Sequence, residues 1–321
     1  MATSIDTAQT LTLNAQWGGC LVTAKETAGK QNYPAGTLYI VATPIGNMAD
    51  ISLRALHVLN LVDAIACEDT RHTQPLLRTY GINIGNNLGI SKPLLALHEH
   101  NEFEATEQII LRLQRGERIA FVSDAGTPGV SDPGSKLVSG VRAAGFRVVP
   151  LPGASSITAL LSVAGITQSD HFSFMGFLPT KTMERDATVL KLQAMSGSIV
   201  LLEAPHRIEA VAKALEILGD RLITVGRELT KQFEEIATVP CATFHNWLQR
   251  DSNRTRGEFV LVLHPLMLEA AHDDAPRILK LLLAELPLKT AVKLTSDITG
   301  APRNALYESA LLLKNDAIAN K

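Results

Sequence analysis

The sequence predicts an α/β fold: two α/β domains followed by a small helical segment. Three observations lead there. From Gly36 onward short apolar runs alternate with stretches of helical spacing, the signature of strand, crossover helix and strand in a mostly parallel sheet. Several of those runs end in polar or small residues rather than in tight hairpin turns. The sharpest such change is I-A-F-V-S-D-A-G-T-P-G-V-S-D-P-G, Ile119 to Gly134. Four apolar residues there empty into a loop of glycine, proline, serine, threonine and aspartate, which reads as a buried strand ending in a ligand-approach loop.

In chain order, residues 1–35 are rich in Ala, Thr, Gln, Asn and Gly and are expected to form a flexible extension, with Trp17, Leu21 and Val22 as its anchors. Residues 36–150 form the N-terminal α/β domain. Its expected strands are Thr37–Ala42, Ala64–Cys67, Leu94–Leu97, Ile119–Val122 and Arg147–Pro150. Its expected helices are Ser52–Leu61, with Leu53, Leu56 and Leu59 at helical spacing, then Thr73–Tyr80, Phe103–Arg115 and Gly134–Ala144. Gly81 and Gly116 supply helix stops. Residues 151–265 form the second α/β domain, opened by L-P-G-A-S-S-I-T-A-L. Strands are expected at Phe172–Gly176, Ser198–Glu203, Leu222–Gly226 and Glu258–Leu263, and helices at Thr182–Ala194 and His206–Leu218. Residues 276–321 read as all-helical.

Composition bounds the function. At 321 residues the chain exceeds one ordinary core. Apolar residues at 46% and charged residues at 19% are those of a soluble globular enzyme. The net charge of -2 means that a nucleic-acid partner has to be met by a local basic patch. Cys20, Cys67 and Cys241 are few and widely spaced, against a disulfide frame or zinc site and in favour of a reducing, cytoplasmic location. No apolar run is long enough for a membrane span, and the N-terminus lacks a signal-peptide layout.

The strand ends carry the candidate chemistry. T-P-I-G-N (Thr43–Asn47), E-D-T-R (Glu68–Arg71), H-E-H-N (His98–Asn101) and S-D-A-G-T-P-G (Ser123–Gly129) each follow a strand of the first domain. In a parallel sheet such loops gather along one edge, where open α/β proteins bind ligands. The usual fingerprints are missing: no G-x-G-x-x-G, no Walker loop, no H-E-x-x-H and no C-x-x-C, so no metal is expected. His98 and His100 read more simply as hydrogen-bonding histidines than as metal ligands. Ser155 and Ser156 read as helix caps rather than nucleophiles. Glu68, Asp69 and Arg71 read equally well as a catalytic group or as a salt-bridge and capping cluster.

Several motifs stand here in one order: T-P-I-G-N, A-C-E-D-T-R-H-T, L-H-E-H-N-E, V-S-D-A-G-T-P-G-V-S-D-P-G, V-P-L-P-G-A-S-S, F-M-G-F-L-P and G-R-E-L-T-K. Together they resemble the family of ribosomal RNA small subunit methyltransferase I, within the tetrapyrrole methylase superfamily. The resemblance runs from about Gly36 to the C-terminus. It implies a cleft between two α/β domains that holds S-adenosyl-L-methionine without a Rossmann fingerprint, and methylation of the ribose 2′-hydroxyl of a cytidine in 16S rRNA or the small ribosomal subunit. By motif position it implies cofactor contacts at Pro44, Ile45, Gly46, Asp124, Gly126, Thr127, Ser156 and Ile157. Glu203, Arg227 and Glu258, at strand ends of the second domain, are expected to face the same cleft. The transfer asks for orientation and for a base or cation near the developing oxyanion. Glu68, Asp69, Arg71, His100 and Asn101 are the candidates. Relatives of the superfamily imply a homodimer.

The last segment distinguishes an RNA enzyme from a tetrapyrrole enzyme. Helices are expected at Pro276–Glu285, Ala291–Ile298 and Arg303–Leu313, the latter two joined by Thr299-Gly300-Ala301 in a helix-turn-helix layout. From Pro276 on there are seven Lys or Arg against four Asp or Glu. Lys289, Lys293, Arg303 and Lys314 are the expected phosphate contacts. Two alternatives stand beside this reading: a methyltransferase of the same fold acting on a tetrapyrrole or other small molecule, and a non-catalytic RNA-binding protein.

Overall fold

The computed structural model of the chain describes residues 21–82, 84, 92–98, 100–131, 133–167, 171–266 and 274–319. Two five-stranded sheets organise residues 37–263. The first holds β1 (Thr37–Val41), β2 (Ala64–Cys67), β3 (Leu94–Ala96), β4 (Ile119–Val122) and β5 (Arg147–Leu151) in the order β3-β2-β4-β1-β5. Every pairing in it is parallel.

Alternation along the strands explains how this sheet is covered on both sides. Tyr39, Val41, Ile65, Cys67, Ala120 and Val122 face α1 (Leu53–Leu61) and α2 (Thr70–Thr79) in one core. Leu38, Ala64, Ala66, Ile119 and Phe121 face α3 (Glu102–Gln114) and α4 (Ser135–Ala143) in the other. β2 and β4 are buried at every position, as a strand with helices on both faces must be. Ser52 opens α1 by accepting from the Ala55 N–H at 3.0 Å.

The second sheet runs β6-β7-β10-β8-β9, with β6 (Phe172–Phe177), β7 (Ser198–Glu203), β8 (Leu222–Arg227), β9 (Glu235–Pro240) and β10 (Phe259–Leu263). Only β6 and β7 pair in parallel; β7–β10, β10–β8 and β8–β9 are antiparallel. Its helices are α5 (Ser156–Val163), α6 (Thr182–Ala194), α7 (Ile208–Leu215) and α8 (Cys241–Gln249). Ile157 and Leu160 of α5 pack on Val200, Val260 and Val262. Buried Arg221 ties the far end of the sheet together, donating to the carbonyls of Leu192, Gly197 and His264 at 2.7–2.8 Å. One guanidinium thereby satisfies three backbone acceptors.

The expected strands and helices of the first sheet lie where the sequence puts them to within a few residues. Two elements of the second sheet, β9 and α8, are not among the expected ones. The flexible extension needs correction over its last part. Residues 21–29 are helical, Ala28 and Tyr33 are buried, the Tyr33 hydroxyl donates to the Ala28 carbonyl at 2.8 Å, and Arg118 Nε donates to the Tyr33 carbonyl at 2.9 Å. Tyr33 anchors the segment because its ring packs with His57 and Tyr39. Trp17 lies outside the described residues.

Cys67, at the end of β2, and Cys241, at the start of α8, are fully buried free thiols. Burial pushes the Cys67 thiol up to about 11 and the Cys241 thiol up to about 12.

The chain divides into two compact units. One comprises Met1–Gln193 and Gly197–His264, and the other Ala194–Ser196 and Pro265–Lys321. The second unit contains α9 (Asp274–Glu285), α10 (Leu288–Thr299) and α11 (Arg303–Ala319) around Ala275, Leu279, Ala291, Val292, Leu306 and Ala310. Pro287 precedes α10, and Gly300 closes it in the left-handed conformation at φ 74°. No helix among the described residues is long and apolar enough to cross a membrane.

Gly134 sets the return of the β4 loop into α4. Its φ is 124°, and an added Cβ would overlap the Phe121 ring. Its N–H donates to buried Glu102 Oε1 at 3.1 Å, and Lys136 Nζ holds Glu102 Oε2 at 3.1 Å. Gly134→Ala is expected to destabilise the protein by about 1–3 kcal/mol through overpacking. Chemical denaturation checks this; unchanged stability would show that the loop re-routes without strain.

Candidate functional site

Because all strands of the first sheet run the same way, their C-terminal loops emerge on one edge. β1 and β4 are neighbours, and their loops are joined directly. Thr43 N–H donates to the Gly126 carbonyl at 2.9 Å, and Gly126 N–H donates to the Thr43 carbonyl at 3.0 Å. Buried Thr43 also donates through Oγ1 to the Ser123 carbonyl at 3.1 Å, and Ser123 Oγ donates to the Gly126 carbonyl at 3.2 Å. Gly126 sits at φ 81°, a conformation that glycine adopts without penalty. Thr127 Oγ1 then reaches the Ala154 carbonyl at 3.1 Å and ties this pair of loops to the segment entering α5.

These loops wall one side of a cavity of about 370 Å³ between the two sheets. Ile45, Ala125, Gly126, Thr127, Val130 and Ser131 line it from the first domain. Ser155, Ser156, Ile157, Phe177, Glu203, Leu229, Glu258 and Val260 line it from the second. The start of α5 faces it with no side-chain cap, leaving first-turn N–H groups available to an anion. Glu203 is buried at the end of β7. Its Oε1 accepts from the Ala204 N–H at 2.9 Å and pairs with Arg207 at 3.1 Å, while Oε2 has no hydrogen-bond partner among the described residues. Burial raises the Glu203 carboxyl above the ordinary carboxylate range, against the Ala204 N–H and Arg207. Ser131 on this rim has φ 68°, a strained conformation for a residue with a Cβ.

Opposite, the β8–β9 connection is held in a fixed shape. Glu228 and Thr230 both have positive φ, 51° and 65°. Lys231 Nζ bridges Glu228 at 2.9 Å and Glu258 at 3.0 Å, and the Glu258 N–H donates to Glu228 Oε1 at 2.9 Å. Both carboxylates raise the lysine's proton affinity against the opposing effect of its burial. The β1 loop meets this connection: the Asn47 N–H donates to Thr230 Oγ1 at 3.1 Å.

Ile45, Gly126, Thr127, Ser156, Ile157, Glu203 and Glu258 are thus brought together around one cavity. Pro44 is buried next to them in the chain, and Asp124 stands one residue before the lining stretch. Two expectations are corrected. Gly46 faces the Leu229–Lys231 connection, where an added Cβ would meet Thr230 Oγ1 and the Leu229 carbonyl at 2.9–3.0 Å. Arg227 is turned inward, paired with Glu235 at 3.5 Å and donating to the Phe233 carbonyl at 3.2 Å. It holds β8 to β9 because a buried guanidinium needs local acceptors.

On the acceptor side, Asp69 proves to be the N-cap of α2. Its Oδ1 accepts from the Arg71 N–H at 2.8 Å, and its Oδ2 pairs with the exposed Arg71 guanidinium at 2.5 Å. Those bonds hold the Asp69 carboxyl down at about 2. Asp69 and Arg71 thus form the capping and salt-bridge cluster, with the Arg71 guanidinium still exposed. Glu68 is half-buried beside them. Asn101 is also structural: its Oδ1 accepts from the His98 N–H at 2.8 Å and its Nδ2 donates to the Ala96 carbonyl at 2.9 Å. His100 is exposed, edge-on to the His98 ring at 6.0 Å. No group of three or more metal-ligating side chains occurs among the described residues.

One contact at this edge joins an expected site residue, Asp124, to one that is not among them. His72, on the first turn of α2, brings Nδ1 within 2.8 Å of Asp124 Oδ2. The motif E-D-T-R-H-T contains the histidine, but linear spacing does not reveal a partner 52 residues away.

Within the second unit Lys289, Lys293 and Arg303 are exposed, and Arg303 pairs with Asp297 at 2.9 Å. The Lys314 side chain lies outside the described residues.

A two-sheet α/β body with a cavity over the β1 and β4 loops defines a class. The family model for tetrapyrrole (corrin/porphyrin) methylases matches residues 37–244. The fold is shared with diphthine synthase, at TM-score 0.53 and 15% identity over 71% of this chain and 90% of that one. The family model for the RsmI C-terminal HTH domain matches residues 269–314. The chain is 47% identical over 283 residues to ribosomal RNA small subunit methyltransferase I of Pseudomonas aeruginosa, covering 86% of this chain and 97% of that protein. It is 46% identical over 280 residues to the protein of the same name from Escherichia coli O157:H7, covering 86% and 95%. The chain belongs to the ribosomal RNA small subunit methyltransferase I family, and it is a methyltransferase.

Gly46→Ala is expected to push the β1 loop off the Leu229–Lys231 connection. Amide exchange at Asn47 should quicken as its bond to Thr230 is lost, with a stability loss of about 1–3 kcal/mol. Unchanged exchange would show that the Lys231 side chain yields instead.

Proposed function

We propose that the chain methylates the ribose 2′-hydroxyl of a cytidine in 16S rRNA, using S-adenosyl-L-methionine bound in the cavity between the two sheets. The observation that carries the cofactor assignment is the lining of that cavity. It sets the uncapped start of α5 beside two carboxylates, Glu203 and Glu258, and several apolar walls. An amino acid joined to a nucleoside through a sulfonium offers a carboxylate, two cationic centres and an apolar ring. Each has a matching group here: helix N–H donors, acidic side chains, and Ile45, Ile157, Leu229 and Val260. When bound, that cofactor supplies an already activated methyl group. The chain's own task is then to hold the acceptor ribose in line and keep water out. Gly126 and Thr127 give backbone approach, with Pro44 and Gly46 fixing the adjoining loop. Glu68, Arg71 and His100 share the strand-end edge and are assigned to the RNA side.

The three-helix unit is assigned to RNA capture, through Lys289, Lys293, Arg303 and Lys314. The family relationship supports the small ribosomal subunit as the target and the cytoplasm as the place. The exposed apolar residues Phe172, Met175 and Phe177 on edge strand β6 are consistent with a homodimer.

Two measurements test this. Gly126→Val places a branched side chain at a positive-φ position in the cavity wall, and titration calorimetry should find S-adenosyl-L-methionine binding abolished with the fold intact. Normal binding would remove the cofactor from this site. Neutralising Lys289, Lys293 and Arg303 together should weaken binding to 16S rRNA and flatten the slope of log affinity against log salt. The expected change is about 2.1 for a single-stranded target and about 2.7 for a duplex. An unchanged slope would make the helical unit structural.

A further inference from the structure

We infer that His72 is the catalytic base of the methyl transfer and that Asp124 is its positioning residue. The inference rests on the methyltransferase reading above and adds to it the group that receives the proton. His72 Nδ1 and Asp124 Oδ2 are 2.8 Å apart, linking the first turn of α2 to the loop that leaves β4. β2, which feeds α2, and β4 are adjacent strands, so the contact spans neighbouring loops on the ligand-binding edge. Asp124 directly precedes Ala125, Gly126 and Thr127, which line the cavity. The dyad therefore stands beside the cavity wall.

The chemistry of the pair follows from its atoms. A carboxylate only accepts, so the proton of neutral His72 resides on Nδ1 and the lone pair on Nε2. The His72 side chain is 68% exposed, and no hydrogen bond among the described residues engages Nε2. Nε2 is thus an oriented acceptor left open on the exposed strand-end edge. A ribose hydroxyl is a very weak acid and needs such an acceptor as its oxygen becomes nucleophilic. The hydroxyl oxygen forms its bond to the methyl carbon as the methyl–sulfur bond breaks and leaves its electron pair on sulfur. The hydroxyl proton passes to Nε2, and imidazolium beside Asp124 later releases it to solvent.

Two other groups on this edge are less suited. Asp69 is held in its ionised form by Arg71, which makes it a poor base, and Asn101 is engaged at both ends by backbone. The charges facing His72 are Asp124 from the β4 loop and, from its own segment, Asp69 and Arg71. The hydrogen bond to Asp124 is the foremost cause raising the imidazole's proton affinity. The Asp124 and Asp69 charges reinforce it, while desolvation and Arg71 oppose it. Activity carried by neutral His72 is therefore full above that raised pKa and falls as pH drops through it. Removing the carboxylate lowers the pKa and moves the acidic limb to lower pH.

The test uses full-length protein in three assays: methyl transfer to undermethylated small subunits, calorimetric binding of S-adenosyl-L-methionine, and NMR titration of the His72 imidazole without ligand. His72→Asn preserves a donor toward Asp124 but has no base. It and His72→Ala are expected to lose about 10²–10⁴-fold in turnover with cofactor affinity unchanged. Asp124→Asn is expected to lower the His72 pKa in the NMR titration and to shift the acidic limb of the turnover profile in the same direction. Wild-type turnover in both His72 variants would overturn the base while leaving the methyltransferase reading standing. A His72 pKa indifferent to Asp124→Asn, with loss of cofactor affinity instead, would make Asp124 a cofactor ligand and overturn the dyad. A wild-type protein that transfers no methyl group to the subunit would bring down both readings.

Discussion

The reciprocal pair of backbone hydrogen bonds between Thr43 and Gly126 is the constraint on which the cavity depends. Parallel pairing of β1 and β4 delivers both loops to one edge but does not fix their conformations beyond the last strand residue. The pair extends the ladder by one antiparallel bridge, and the buried hydroxyls of Thr43 and Ser123 reinforce it. Unsatisfied buried backbone groups would cost about 1–3 kcal/mol each, so the loops have a strong reason to stay joined. With that junction fixed, Thr127 can reach the Ala154 carbonyl, and the start of α5 is drawn to the same cavity. The bonds that shape the cavity wall are all made within the protein, and a wall held by its own bonds lowers the ordering cost of binding.

A second set of fixed points lies around the cavity, Ser131 on the β4-loop side and Glu228 and Thr230 on the β8–β9 connection. Ser131, Glu228 and Thr230 hold positive φ angles, and each lies on or next to the cavity rim. Such conformations cost of order 1–3 kcal/mol and persist only where neighbours over-determine them. For Glu228 the neighbours are Lys231 and the Glu258 N–H. For Thr230 they are the Asn47 N–H and Glu234, whose Oε2 accepts from the Thr230 N–H at 2.6 Å. At Glu228 and Thr230 strain and polar clasp therefore occur together, and the clasp joins the first-domain loop to the second domain through the Asn47–Thr230 bond.

What can be read from the sequence follows from how local each feature is. β2 and β4 are legible because strands buried on both faces are apolar at every position and end abruptly. Ser198–Glu203 and Thr182–Ala194 stand where their spacing puts them. β9 escapes notice because it is an edge strand with half-exposed residues, E-I-A-T-V-P, and its proline doubles as the N-cap of α8. The cavity loops are legible because glycine and proline after an apolar run require a special backbone. Asp69 is ambiguous because an N-cap and a catalytic carboxylate look identical in one dimension. The inward turn of Arg227 and the meeting of His72 with Asp124 depend on strand order, which spacing along the chain does not carry.

The two buried thiols give the molecule a pair of internal gauges. A protonated, inaccessible sulfur reacts with an alkylating reagent only when its surroundings open. Cys67 ends the strand that leads into the His72 helix, and Cys241 begins the helix that follows β9, so each belongs to a different half of the body. Their labelling rates read out the opening of the first sheet and of the second separately, in one chain and without an introduced cysteine. Ligand held between the halves would slow both together, whereas a breach confined to one sheet would quicken only its own cysteine.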